Sequence, residues 1–119
     1  IGDKINLPLW MDEGVACSQE KSSLNERLKV AKNLVAQRMN INFNKLTEIK
    51  DSTLVVPQVF YAEGASIIVF LLEQYGRDKF LEFSRALRDG VEWKEALKNK
   101  YDFRDLNDME LKWKEFVLK

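Results

Sequence analysis

Two short segments of this 119-residue chain carry side chains able to do chemistry. The first, Leu7 to Ala16, reads LPLWMDEGVA and sets the adjacent carboxylates Asp12 and Glu13 in front of Gly14. The second, Tyr61 to Ser66, reads YAEGAS and offers a phenol and one more carboxylate, Glu63. A carboxylate binds cations or carries protons. A phenol is a neutral donor that stabilises developing negative charge in a dry pocket. Both segments also have an ordinary reading. Acidic residues suit the first turn of a helix, where the dipole is positive. Trp10 suits a core, and Tyr61 suits a core edge with its hydroxyl in water. The chain has no histidine and a single cysteine, Cys17. A cysteine–histidine nucleophile and an internal disulfide are therefore excluded within it, and Cys17 reads as a small buried residue. No glycine-rich phosphate loop is present.

The first segment resembles the third-ligand helix of the gluzincin zinc metallopeptidases, with Trp10, Glu13, Gly14 and Ala16 standing in a W-x-x-E-G-x-A pattern. In that family an upstream HExxH helix supplies two histidine ligands and the general base. The resemblance implies that Glu13 is the third zinc ligand, that Trp10 packs beneath the site, and that Gly14 lets two helices approach closely. Asp12 becomes a neighbour without an assigned role. A carboxylate beside two imidazoles lowers the charge of the site while leaving the metal able to activate water. The second segment is similar to the Y-x-K-G-A segment of aminopeptidase-type gluzincins, which implies that Tyr61 donates to the oxyanion. Glu63 departs from that pattern by standing where those enzymes carry lysine.

Further motifs resemble the bacterial peptidase MA-like branch of the same family. They are Tyr75-Gly76 with Lys79-Phe80, Leu87-Arg88 with Gly90, Glu95-Ala96-Leu97, and a last helix with Leu106 and Trp113. These are structural motifs, and only the region from Lys21 to Thr53 matches poorly. HExxH is absent, so the chain reads as the part downstream of a missing HExxH segment. Its expected partners are that upstream segment and a peptide or protein substrate. Zinc is expected in the full-length parent, with none tightly bound to this chain alone.

Positioning these residues requires helices, and the pattern is helical almost throughout. Five glycines and two prolines punctuate it. Helices are expected over Leu9 to Ser18, from Ser22 or Ser23 as N-cap to about Gln37, and over Val59 to Tyr75 behind Pro57. Asp78 to Arg88 follows, with Phe80, Leu81, Phe83 and Leu87 facing inward. A short helix holds Trp93, Ala96, Leu97 and Tyr101. The last begins at an Asp105 cap and turns Leu106, Met109, Trp113, Phe116 and Val117 inward. Asn40 to Thr53 reads as a loop with a short strand or a helical turn near Leu46. The expected class is all-α, a compact bundle of five or six helices forming a single domain or fragment over residues 1–119, like the C-terminal helical half of a zincin catalytic domain. The stretch around Ile67 to Leu72 should be the most enclosed.

Lysine plus arginine and aspartate plus glutamate number 19 each, so no basic balance draws the chain to nucleic acid or to an anionic membrane surface. The apolar run around Ile67 falls short of the roughly 20 residues that a bilayer span needs. Charge runs such as Glu26-Arg27 and Arg85 to Asp89 read as solvated helix faces. The resemblance implies a part of a zinc-dependent peptidase, inactive by itself. The rival is a non-catalytic helical interaction module related to such peptidases. If the resemblance holds, the helices should cross near Gly14 and Gly64, and Glu13 should escape any strong buried ion pair. It should also lie on the side where Ile1 enters.

Overall fold

A computed structural model describes residues 8–51 and 55–119, so the entry of Ile1 lies outside the described residues. Among those described, seven helices form and no strand does. They are α1 (Leu9–Ser18), α2 (Lys21–Ala36), α3 (Phe43–Leu46), α4 (Pro57–Tyr75), α5 (Arg77–Arg88), α6 (Trp93–Tyr101) and α7 (Leu106–Leu118). The class is all-α as the periodicity implies. The extra helix is the turn around Leu46, four residues long and capped by the Asn42 side chain, which accepts from the Lys45 N–H at 2.9 Å.

The long apolar helix α4 is the axle of the bundle. Pro57 sits in its first turn, where a missing N–H is harmless, and Gly76 (φ 90°) ends it in a conformation that other residues resist. Every residue from Ala62 to Leu71 is buried, because α1, α2, α5 and α7 all lie against it. Helix α7 starts at the expected cap: Asp105 Oδ1 accepts from the Asp108 N–H at 2.8 Å. Its Met109, Trp113 and Val117 enter the core. The buried Trp113 indole donates to Ser66 Oγ (2.9 Å), whose hydroxyl donates to the Glu63 carbonyl (2.7 Å). At the other end of α4, Phe70, Tyr75, Tyr101 and Phe103 pack ring on ring.

Two local expectations are corrected. Helix α2 begins at Lys21 after Glu20, ahead of Ser22 and Ser23. The end of α1 turns straight into it, with the Gln19 and Glu20 N–H groups bonded to the Ala16 and Cys17 carbonyls and Ser23 N–H to the Glu20 carbonyl. No serine cap is then needed. Leu81 is exposed, since α5 turns Phe83 and Leu87 to the core and leaves Leu81 on the outer side. Cys17 is buried as expected. The other exposed large apolar side chains, Met39, Val56, Leu111 and Leu118, are scattered over several elements. A mostly apolar groove of about 410 Å³, lined by Val15, Leu24, Ile68, Leu72 and Phe80 among others, runs where α1, α2, α4 and α5 meet.

Candidate functional site

Helices α1 and α4 meet backbone to backbone. A methyl group placed on Gly14 would lie 2.6 Å from the Gly64 carbonyl oxygen, and one placed on Gly64 would lie 2.9 Å from the Trp10 carbonyl oxygen. Both distances are far inside van der Waals contact, so only glycine fits either position at this separation. The expected crossing near Gly14 and Gly64 is present. Trp10, one turn before Gly14, is buried beneath it, and its indole N–H meets no acceptor among the described residues.

The crossing fixes where the candidate residues lie. Glu13 precedes the crossing glycine and is partly exposed, whereas Asp12 is exposed. Neither carboxylate is in an ion pair or hydrogen bond with a described side chain. Tyr61 lies one turn before Gly64 on α4, half-buried, with its ring tilted against Phe60 at a centroid distance of 6.0 Å. Among the described residues, Glu13 belongs to no group of three or more His, Cys, Asp or Glu able to hold a metal ion. The donor set therefore fits one ligand of a zinc site, and a zinc site takes three or four.

Helix α2 adds a residue that the sequence placed elsewhere. Arg27 is a partner of the site, not part of a solvated face. Its guanidinium lies over the Tyr61 ring, 5.9 Å from the centroid. The Arg27 Nη2 donates to Glu20 Oε1 at 3.0 Å, and its Nε points at Ser23 Oγ at 3.4 Å. Burial pushes the Cys17 thiol up, with the Arg27 charge opposing this and the Glu20 and Glu13 charges adding to it. Arg27 and Glu13 thus act on the same thiol, one turn along α1 from Glu13. The signal available in the sequence was weak, because an arginine one residue past a glutamate on a helix reads as exposed.

Glu63 is the second surprise. It is fully buried and points away from the site, into the connection between α2 and α3. Its Oε1 accepts from the Ile41 N–H at 2.8 Å, while Oε2 has no hydrogen-bond partner. Glu110 on α7 completes the grip: Oε1 accepts from the Phe43 N–H at 2.8 Å and Oε2 from the Asn40 amide at 3.1 Å. Lys114 stands 3.5 Å from Glu110 Oε2. Burial pushes the Glu63 carboxyl up to about 8. The Ile41 N–H opposes that rise, the Glu110 charge adds to it, and Asn40 and Lys114 oppose it more weakly. The departure from the lysine-bearing pattern is thus a structural carboxyl holding a loop.

Comparison with known proteins adds one finding. The sequence profile described as the Peptidase MA superfamily matches residues 2–119. No curated protein and no solved structure matches the chain.

Proposed function

Because the chain belongs to the Peptidase MA superfamily, matched over residues 2–119, we propose that it is the C-terminal part of a zinc-dependent peptidase of the gluzincin kind. In this reading Glu13 supplies one carboxylate ligand and Tyr61 the oxyanion donor. Trp10, Asp12 and Gly14 surround the ligand, and an HExxH segment of the parent supplies the remaining ligands and the base. Zinc, when bound, supplies an activated water and polarises the scissile carbonyl. The residues of this chain bind and orient. Gly14 and Gly64 set Glu13 and Tyr61 on two helices in direct backbone contact, and the Tyr61 hydroxyl donates a hydrogen bond to the carbonyl oxygen as negative charge gathers there.

The observation that carries the reading is the Gly14–Gly64 crossing, which brings both matched segments to one place although the sequence separates them widely. Glu13 being in no ion pair with a described side chain supports it, since a ligand carboxylate must be free to meet a cation. Peptide-bond hydrolysis is the corresponding reaction, and the isolated chain is expected to be inactive.

The test is metal content and turnover of the parent protein. Glu13→Gln should lose zinc and activity together. Tyr61→Phe should keep its zinc and lose about 10²-fold in kcat, the scale of a missing oxyanion donor. The isolated chain should bind zinc no tighter than roughly the high micromolar range. Full zinc occupancy and activity in Glu13→Gln would sink the assignment, as would a tight stoichiometric site in the isolated chain.

A further inference from the structure

We infer that Arg27 is a positioning residue for Tyr61: its guanidinium lies over the phenol ring from α2 and restrains it. The inference rests on the reading of Tyr61 as the oxyanion donor and extends that site to a third helix.

Four observations converge on it. The guanidinium lies 5.9 Å from the Tyr61 centroid, within the roughly 6 Å over which a cation is attracted by a ring face. Arg27 is itself held, with Nη2 bonded to Glu20 at 3.0 Å and its side chain only 24% exposed. Ser23 one turn back adds a longer contact to Nε at 3.4 Å. Finally, Arg27 and Glu13 both act on Cys17, so this turn of α2 runs beside the part of α1 that bears the candidate ligand.

The chemistry follows from the geometry. The half-buried Tyr61 ring leans on Phe60 and the edge of the core, and rotation about its Cα–Cβ bond would swing the hydroxyl. A planar cation lying on the ring restricts that motion. Its charge also favours a hydroxyl that leans toward negative charge, because attraction is strong where water is partly excluded. Glu20 accepts from the Nη2 of the same guanidinium. Lysine can replace only the charge of this arrangement, as its ammonium has neither the flat face nor the fork that binds Glu20 and Ser23 together.

Two experiments test it. In the isolated chain carrying ring-labelled tyrosine, Arg27→Gln should shift the Tyr61 ring resonances and leave Tyr75 and Tyr101 in place. In the zinc-loaded parent, Arg27→Gln should lower kcat about tenfold, with KM within about twofold and zinc content unchanged. Arg27→Lys should recover part of that loss. Unmoved Tyr61 resonances overturn the inference whatever the activity. A loss in Tyr61→Phe with no loss in Arg27→Gln also overturns it and leaves the reading of Tyr61 standing. No loss in Tyr61→Phe removes that reading itself.

Discussion

Replacing Glu63 by glutamine should change how the stability of this protein depends on pH more than it changes stability at any acidic pH. Glu63 has an ordinary carboxyl value of 4.5 when unfolded and about 8 when folded. Between those values the folded chain keeps a proton that the unfolded chain has released, so unfolding is favoured more at each step upward. The contribution of Glu63 is fully present below 4.5 and is lost as pH rises through about 8. Each pH unit in the window costs about 1.4 kcal/mol, and the whole window is worth on the order of 5 kcal/mol, a large share of a typical domain's stability. The groups that face Glu63 are few: Glu110 and Lys114 from α7, and the Asn40 amide and Ile41 N–H from the connection. Glutamine keeps an oxygen for the Ile41 N–H and removes the titration. Urea unfolding at pH 5, 6, 7, 8 and 9 should show wild-type stability falling through this range and a flatter profile for Glu63→Gln. The variant should be the more stable protein at pH 8 by a few kcal/mol. An equal slope in both proteins would refute the argument, as would wild-type stability that rises from pH 5 to pH 8.

Two further outcomes check the frame. Gly14→Ala should destabilise by about 1–3 kcal/mol in thermal unfolding, because the methyl would stand 2.6 Å from the Gly64 oxygen and the helices must part. Asp105→Ala should cost about 1 kcal/mol by removing the acceptor of the Asp108 N–H at the start of α7.

What the sequence made legible was local. Pro57, Gly76 and Gly90 mark helix ends through their backbone chemistry and Asp105 through its side-chain carboxylate, and the apolar run after Ala65 announces a buried helix wherever it sits. The Gly14–Gly64 contact was reachable only because two motifs were each similar to segments that meet in a known family. Glu63 was not legible, since a glutamate between alanine and glycine carries no sign that Ile41 and Glu110 will enclose it. Arg27 failed for the same reason: its partner is a ring on another helix. The start of α2 lies ahead of the serines because, although serines are good caps in general, a direct turn out of α1 gives the Lys21 and Ser23 N–H groups the Gln19 and Glu20 carbonyls as acceptors.

The grip of Glu63 and Glu110 on the connection between α2 and α3 also bears on the order of events during synthesis. Ile41 and Phe43 leave the ribosome long before Glu110 does. Until α7 arrives, one of the two carboxyls that hold this connection does not exist, and the Phe43 N–H has to be satisfied by water. Helices α1, α2 and α4 can gather as soon as α4 is complete, since their contact needs nothing from later in the chain. The nascent protein is thus expected to pass through a stage in which the α1–α4 crossing is made while the connection is held by Glu63 alone. A ribosome-bound chain stalled before α7 should be cut by protease within Asn40 to Phe43 and resist cleavage at Gly14 and Gly64.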